Sequence, residues 1–472
     1  MHVVLVELVK DLLAKHKLCD HCLGRQFASL GTGIDNGFRG MILRSTVLLD
    51  AHGIIKDESD ASQDGKITGA RTLLTGQGGQ LQPLATKLLA HLNLPLPAPD
   101  VLARAKARDT MAPWDWDGCE LCGGVFSKQV QSKLVQLARE QSTGIEFKSL
   151  LVGSRFSTSV VEKEEEMRVE CGLKWGEAIK SHFNRFVGSE LSQALDKPVD
   201  FKNPDVVFIF AIENKDSAGV EIQINPLFIY GKYRKIARGI PQTHWPHRAC
   251  GGAGCEECNY TGKQYMESVE EYISKPVLDA TGGSGVRFHG AGREDIDARM
   301  LGEGRPFVIE VLCGKKRTVD YEALTAAIND FAKDKVEVSG LRPSTNEEMQ
   351  DLKENAPDTT KKYKALCTLE HPIDDATLGM LKAKLEGTTL HQQTPTRVLH
   401  RRANKTRLKK VLAVSWERVE NPLEIVFIIE AMGGTYIKEL ISSDEGRTQP
   451  SISGLAGQKI VCKELDVLEV NH

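Results

Sequence analysis

Gly292-Arg293-Glu294-Asp295-Ile296-Asp297-Ala298-Arg299-Met300-Leu301-Gly302 places three carboxylates and two arginines between two glycines. It precedes an apolar run, Phe307-Val308-Ile309-Glu310-Val311-Leu312, which has the length of a buried strand. A loop at the edge of a rigid strand is a common setting for chemistry, and this one would hold an acid beside a compensating cation. Taken alone, the segment favours an ordinary Asp/Arg-rich turn, so the rest of the chain must decide.

The composition indicates a globular protein of several domains. A chain of 472 residues holds two to four domains at about 100–200 residues each. A formal net charge of −3 argues against a protein that coats nucleic acid nonspecifically, but it allows an enzyme with a local basic groove. We find no signal peptide and no apolar run near the ~18 residues of a membrane span. We therefore expect a cytoplasmic protein whose eleven cysteines are thiols or metal ligands.

Two C-x-x-C pairs predict a structural zinc site. They are Cys19-Asp20-His21-Cys22 and Cys119-Glu120-Leu121-Cys122. Each pair can donate two thiolates to a tetrahedral zinc, so the expected ligands are Cys19, Cys22, Cys119 and Cys122. The alternative is two unrelated buried pairs or redox motifs, although a redox pair normally begins a helix after a strand.

A third cluster, His247-x2-Cys250-x4-Cys255-x2-Cys258, is similar to a glycine-rich zinc ribbon. It predicts a second metal site if His247 supplies the fourth ligand. The alternative is that His247, beside Trp245 and Pro246, is only a surface loop residue.

The pattern along the chain predicts four regions. Residues 1–124 read as a helical region with the zinc knuckles, and residues 125–245 alternate helices and strands. A possible zinc-ribbon insertion follows at 246–262, and residues 263–472 are rich in strands. The 125–245 region, with its strand-like runs from Val206 and Val220 and its basic end near Lys235, resembles a THUMP-type RNA-binding domain. A plain α/β domain is the alternative.

A basic segment, 394–410, holds seven Arg or Lys residues and no acidic residue. A cationic strip of this length attracts a phosphate backbone by Coulomb steering and counterion release. The alternative is a solvated edge strand whose lysines block aggregation. The expected RNA-binding residues are Arg397, Arg401, Arg402, Lys405 and Arg407.

Three further segments carry candidate site residues. Tyr363 stands between lysines in a strand-like run, and Gly433-Gly434-Thr435-Tyr436-Ile437-Lys438 follows the basic segment. If this second run is a strand, alternation places Tyr436 and Lys438 on one face. Leu455, in Ser453-Gly454-Leu455-Ala456-Gly457, is either an apolar wall of the same cleft or plain core packing.

The order of these segments, with the cysteine knuckles in front, resembles the THUMP-containing tRNA pseudouridine synthases of the tenth Pus family, over nearly the whole chain. The resemblance implies an α/β and α+β multidomain protein. A zinc-bearing, THUMP-like RNA-binding part would precede a C-terminal mixed-sheet catalytic domain. It also implies an isomerase that converts uridines 54 and 55 of the tRNA T-loop to pseudouridine. We would expect no organic cofactor, tRNA as the partner, no membrane contact and no obligate protein partner.

The same resemblance assigns roles to the candidate residues. Asp295 matches the nucleophile, and Lys438 matches the basic residue that pairs with it. Tyr363 would stack on the base, and Leu455 would line the pocket. The remaining substrate-binding candidates are Arg293 and Tyr436. Asp297 is the rival nucleophile, and we expect it to order the loop by pairing with Arg299.

Two other classes compete with this interpretation. A THUMP-linked tRNA methyltransferase would need a glycine-rich loop between a strand and a helix, and Thr281-Gly282-Gly283-Ser284-Gly285 lacks that setting. A non-catalytic zinc RNA-binding protein would carry the Asp295 loop as a structural turn. Isomerisation of uridine without an added cofactor would distinguish both from the synthase.

Overall fold

A computed structural model describes residues 2–56, 68, 118–354, 359–400 and 402–471. The chain forms two compact units, Met1–Ile224 and Asn225–His472. Both combine helices with a sheet, as the sequence analysis expected. Within the described ranges, every helix is too short or too polar to cross a bilayer.

The first unit packs helices around a small sheet. Its elements are α1 (His2–Lys15), α2 (Asp20–Arg25), α3 (Asn36–Lys56), α4 (Lys128–Gln141), β1 (Leu150–Phe156), α5 (Thr158–Glu170), α6 (Ile179–Leu195), β2 (Val206–Ile212) and β3 (Ala218–Ile224). Strand β2 is central: it pairs in parallel with β1 and antiparallel with β3. Its alternate residues Phe208 and Phe210 are fully buried, which is the period-two pattern of a sheet with one covered face.

Helices α2 and α3 cross closely because both carry glycine at the contact. A β-carbon added to Gly24 would lie 1.8 Å from the carbonyl oxygen of Asn36, and one added to Gly40 would lie 1.9 Å from that of Asp20. A salt bridge from Arg44 Nε to Asp20 Oδ1, 2.7 Å long and buried, ties the two helices together. This crossing fixes the segment that carries the first C-x-x-C pair.

The second unit is built on a ten-stranded sheet. Its strands are β4 (Leu227–Lys235), β5 (Gly285–Gly290), β6 (Arg299–Leu312), β7 (Val336–Ser344), β8 (Thr360–Leu369), β9 (Thr389–Gln393), β10 (Thr406–Arg418), β11 (Glu424–Met432), β12 (Thr448–Gln449) and β13 (Ile460–Asn471). Their order in the sheet is β12-β9-β10-β11-β8-β13-β6-β4-β7, with β5 paired to β6. Its helices are α7 (Val269–Thr281), α8 (Tyr321–Phe331), α9 (Asn346–Glu354), α10 (Asp375–Leu385), α11 (Ile437–Ser442) and α12 (Ile452–Ala456).

The apolar run predicted after the charged loop lies near the middle of this sheet. Strand β6 pairs antiparallel with β4 and β5 and in parallel with β13, and Phe307 to Val311 are buried. Such a continuous buried run is typical of a strand covered on both faces. The charged loop therefore enters the most rigid part of the unit.

Two expectations about this part of the chain differ from the structure. The strand-like run from Val220 to Tyr230 splits at Asn225-Pro226 into β3 and β4, which belong to different sheets. A proline lacks the N–H that a central strand donates, which explains the break. The compact units consequently divide at 224/225, earlier than the boundary expected at 245/246.

The second difference concerns Lys438. The segment Ile437–Ser442 is a short helix with Tyr436 at its N-cap, so the prediction of a strand here was wrong. A six-residue segment without clear apolar periodicity gives helix and strand similar support, and tertiary packing decides.

Candidate active site

The second unit holds a cavity of about 490 Å³ at the charged loop. Six parts of the chain supply its wall: the loop before β6, β6 itself, the start of β8, the segment between β9 and β10 with the start of β10, the β11–α11 turn, and β13. The lining residues are Gly292, Arg293, Glu294, Asp295, Ala298, Arg305, Lys361, Tyr363, Arg397, Val398, Arg402, Arg407, Lys409, Gly433, Gly434, Thr435, Tyr436, Ile437, Leu465 and Val467. The fold thus brings together most of the candidate residues, which lie far apart in sequence.

Asp295 presents a partly exposed carboxylate to this cavity, with 29% of its side chain accessible. Arg397 Nη1 donates to Asp295 Oδ1 at 2.9 Å, and Lys438 Nζ lies 3.9 Å from Oδ2. Arg397 also donates through Nε to Glu439 Oε1 at 2.7 Å. Burial opposes the charge of Arg397, but its bonds to Glu439 and Asp295 outweigh burial and raise its pKa above the ordinary value. A permanently charged guanidinium therefore faces the carboxylate.

The rival carboxylate, Asp297, takes a different partner from the one expected. Lys438 Nζ donates to its two oxygens at 2.6 and 2.8 Å, whereas Arg299 pairs with Asp466 at 2.7 and 2.9 Å. The predicted Asp297–Arg299 pair was therefore wrong. Burial raises the pKa of Asp297, but Lys438 more than offsets this, and the net pKa lies below the usual value. Asp297 does not line the cavity.

Glu294, the residue before Asp295, points into the interior, and its side chain is fully buried. It accepts from Arg305 Nε at 3.0 Å and from the Tyr233 hydroxyl at 2.9 Å, and Lys235 Nζ lies 3.9 Å away. This buried acid anchors the loop and forms part of the inner cavity wall, whereas the carboxylate of Asp295 is partly exposed in the cavity. This role was not predicted, although the sequence places an acid directly before the candidate nucleophile.

The backbone of the loop is held by side-chain donors from strands β4 and β6 and from Gln242, which follows β4. Lys235 Nζ donates to the carbonyl oxygens of Asp295 and Ile296 at 3.0 and 3.1 Å. Gln242 Nε2 donates to the Gly292 carbonyl oxygen at 2.9 Å, and Arg305 Nη1 donates to Ala291 at 2.7 Å. Burial lowers the pKa of Lys235 to about 8. These bonds fix the direction in which Asp295 points.

Tyr363 forms a wall of the cavity on β8 and is only 8% exposed. Burial raises its pKa to about 12, so it is a neutral phenol at ordinary pH. Across the strand pair, Val467 lies opposite Tyr363 in register, and both Val467 and Leu465 line the cavity.

Leu455 does not line the cavity. It lies on α12 and packs, half-buried, against the core. The leucine that lines the cavity is Leu465, because β13 pairs with the strand that carries Tyr363. An apolar residue inside a strand gives no sequence signal that separates pocket wall from core.

The basic segment contributes unevenly to the cavity. Arg402 Nη1 donates to the Tyr436 hydroxyl at 3.0 Å, and the Arg407 guanidinium lies 5.9 Å from the centre of the Tyr436 ring. Both arginines line the cavity, whereas Lys405 is exposed outside it. Arg401 lies outside the described residues.

Arg293 also lines the cavity, with its guanidinium 4.8 Å from the centre of the Trp245 ring. The charged lining residues are then seven cations (Arg293, Arg305, Lys361, Arg397, Arg402, Arg407 and Lys409) and two acids (Glu294 and Asp295). In a chain with a net charge of −3, this concentration of positive charge favours an anionic ligand such as a nucleic-acid backbone.

The predicted four-cysteine cluster is assembled in the first unit. Cys19, Cys22, Cys119 and Cys122 are buried, and their sulfur atoms lie within 4.8 Å of one another. The Cys19–Cys122 sulfur distance is 3.6 Å, close to the roughly 3.8 Å between ligands of a tetrahedral zinc with 2.3 Å bonds. Arg25 Nη1 donates to Cys22 Sγ at 2.8 Å, an outer contact that stabilises a thiolate. The cluster fits a structural zinc.

The second predicted cluster is also assembled, in the second unit. The ligand atoms of His247, Cys250, Cys255 and Cys258 lie within 4.8 Å of one another. His247 Nδ1 lies 3.5 Å from Cys250 Sγ and 3.6 Å from Cys255 Sγ, so the histidine completes the set. The donor set of one imidazole and three sulfurs also suits zinc.

Comparison with known proteins covers both units. The family described as "Pus10, C-terminal" matches residues 228–471, and that described as "Pus10 THUMP domain, archaeal" matches residues 134–211. The chain is 39% identical to a tRNA pseudouridine synthase Pus10 of Methanothermobacter marburgensis, over 97% of the chain and 96% of that protein. It is 39% identical to the protein of the same name from Methanocaldococcus jannaschii, over 98% of the chain and 93% of that protein. The protein of the same name from Methanothrix thermoacetophila is 37% identical, over 99% of the chain and 94% of that protein.

Proposed function

The chain belongs to the Pus10 family of tRNA pseudouridine synthases, and on this premise we propose that it isomerises uridines 54 and 55 of the tRNA T-loop to pseudouridine, with Asp295 as the nucleophile. The observation that carries the proposal is the position of the Asp295 carboxylate. This carboxylate faces a cationic cavity and accepts a hydrogen bond from Arg397. The loop that carries it is fixed by the buried side chain of Glu294.

The reaction needs a positioned carboxylate and no redox or group-transfer partner. The glycosidic C–N bond breaks, the uracil rotates, and a C–C bond forms to C5 of the same base. C5 loses its proton and N1 gains one, so the product is an isomer of the substrate. An ionised carboxylate supplies the nucleophile, and a neighbouring fixed cation favours the ionised form.

The target uridine must leave its stack in the folded loop, which costs a few kcal/mol. Tyr363 supplies an aromatic face inside the cavity, and Tyr436 offers a second one, braced by Arg402 and Arg407. Stacking on aromatic side chains offsets about 1–3 kcal/mol per base. We assign Tyr363 and Tyr436 to the bound base and its neighbours, and the arginines to adjacent phosphates.

Lys438 has a positioning role in this scheme. It lies between two carboxylates, at 2.6 Å from Asp297 and 3.9 Å from Asp295. Arg397 is the closer cation to the nucleophile, and Lys438 holds Asp297 away from the cavity. We therefore assign Arg397 as the principal counter-charge of Asp295.

The first unit would hold other parts of the tRNA, consistent with the THUMP match at residues 134–211. The two metal clusters would be structural, because each has four protein ligands and a closed tetrahedral set leaves no position for substrate. A zinc in either cluster would stabilise the segment that carries it.

The function is tested with purified protein and an unmodified tRNA transcript in buffer without S-adenosylmethionine or nucleotide. Carbodiimide primer extension should give stops at positions 54 and 55. Transcripts with cytidine at 54, at 55 or at both assign each stop to its own uridine. A protein that binds the transcript without producing stops would contradict the proposal and favour a binding module.

A further inference from the structure

We propose that the ammonium of Lys361 binds a phosphate next to the flipped uridine and so fixes the nucleotide for attack. The inference rests on the proposed function and names a contact of the same cavity. Its basis is the position of Lys361, the absence of a partner for its charge among the residues that the structure describes, and the charge balance around it.

Lys361 is placed to touch a bound nucleotide. It precedes Tyr363 by two residues on β8, so strand alternation puts both side chains on one face, and both line the cavity. Its ammonium lies 2.9 Å from the point that a β-carbon of Gly292 would occupy. The absence of a side chain at Gly292 therefore leaves the lysine beside the catalytic loop.

The charge of Lys361 lacks a counter-ion within the described ranges of the chain. Lys361 is only 6% exposed, and burial and the charges of neighbouring side chains act on its ammonium there without a hydrogen bond. By contrast, Arg305 pairs with Glu294, and Lys409 donates to the Gly433 carbonyl oxygen at 2.6 Å. A buried ammonium without an acceptor is unfavourable, so a ligand that supplies one gains affinity.

The surroundings of Lys361 favour an anion over a neutral acceptor. Arg305 and Lys409 oppose its charge, and Glu294, which favours it, is already bonded to Arg305. Burial and Arg305 lower the pKa of Lys361 to about 7. Uracil is neutral, and the phosphates carry the negative charge of RNA. A phosphate oxygen therefore compensates this group better than a base carbonyl does.

The test pairs a protein change with an RNA change. Lys361→Met removes the ammonium, and a methylphosphonate at the linkage 5′ or 3′ of the target uridine removes one phosphate charge. Single-turnover rates are measured for each protein with each T-stem-loop RNA. Lys362→Met is the matched control, because Lys362 is the adjacent lysine of β8 and makes only a loose 3.7 Å pair with Glu469.

We expect Lys361→Met to lower the single-turnover rate at subsaturating protein by about tenfold to a hundredfold on natural RNA, the range for a hydrogen bond to a charged group. At one of the two linkages the methylphosphonate should slow the wild type similarly and slow Lys361→Met little further. Lys362→Met should behave as the wild type on every RNA.

The inference would be overturned if, at both linkages, the rate loss caused by Lys361→Met multiplied with the rate loss caused by the methylphosphonate. The proposed function would remain intact in that case. If no pseudouridine forms with wild-type protein, the proposed function fails, and this inference fails with it. Should Lys361→Met misfold by circular dichroism, Lys361→Gln takes its place in the same cycle.

Discussion

Glu294→Gln should destabilise the charged loop before β6 while leaving the Asp295 carboxylate in place. Glu294 has no accessible side-chain surface, and it faces Arg305, 1% exposed, and Lys235, fully buried. Glutamine keeps the shape and one acceptor, but it replaces a carboxylate oxygen with a donor. Two buried cations then lose their counter-charge.

The expected destabilisation is large. Removing one member of a buried ion pair costs about 3–5 kcal/mol, because the remaining charge is left uncompensated. Domains are typically stable by only about 5–15 kcal/mol. Glu294→Gln should therefore remove about a fifth or more of the stability of the second unit, and it should loosen the loop that carries Asp295. We expect turnover to fall more than RNA affinity.

Hydrogen-exchange mass spectrometry is the suitable assay, because the chain has two compact units and a single unfolding curve would mix them. Peptides from β6, which follows the loop, report opening of the second unit, and peptides from β2 report the first. Exchange should accelerate in β6 and stay unchanged in β2. The matched control is Glu303→Gln, since Glu303 is 88% exposed and its pair with Lys232 should contribute less than about 1 kcal/mol.

The reasoning would be refuted if β6 exchanged equally slowly in wild type and Glu294→Gln. It would also be refuted if Glu303→Gln accelerated exchange in β6 as much as Glu294→Gln does, because burial of the carboxylate would then not be the cause.

Three further predictions concern other parts of the molecule. Arg397→Met should lower the single-turnover rate about tenfold to a hundredfold, since Asp295 loses its hydrogen-bonded cation, and filter binding should show tRNA affinity reduced much less; equal losses in both would argue against a counter-charge role. Cys122→Ser and Cys255→Ser should each lower the zinc content by one equivalent per chain in elemental analysis, and only Cys122→Ser should accelerate exchange in β2; unchanged zinc in either would refute that site. Burial lowers the pKa of Lys361 to about 7 from the 10.5 of a free lysine, so the unfolded chain binds more protons between these two values. Stability of the second unit should therefore rise with pH over that window, by up to about 1.4 kcal/mol per pH unit. Lys361→Met should flatten this rise when urea unfolding is followed by pulsed hydrogen exchange of β6 peptides; an equal rise in both proteins would contradict this.

Much of the catalytic unit could be predicted because its signals are local. The carboxylate loop, the tyrosine of β8 and the His247–Cys258 cluster are short patterns whose spacing carries chemical meaning, and so is each C-x-x-C pair of the first unit. Residue-level assignments were less complete where a side chain takes its partner from a distant strand. Arg397 was expected among RNA-binding cations, but it lies in the short turn Thr396–Val398 and donates to Asp295, which is 102 residues away in sequence.

The misses have a common physical cause. Leu455 and Leu465 are both apolar residues near the end of the chain, and only the pairing of β13 with β8 separates them. The helix at Lys438 and the strand break at Pro226 are decided by tertiary packing and by one missing N–H. A sequence pattern can therefore indicate which residues matter before it can indicate which residues meet.

The most direct test of the account compares Asp295→Asn with Asp297→Asn on unmodified tRNA. Both variants remove one carboxylate from the same loop, but only Asp295 lines the cavity. The account predicts that Asp295→Asn binds tRNA and forms no pseudouridine at positions 54 and 55, while Asp297→Asn retains turnover. Turnover by Asp295→Asn, with loss in Asp297→Asn, would contradict it.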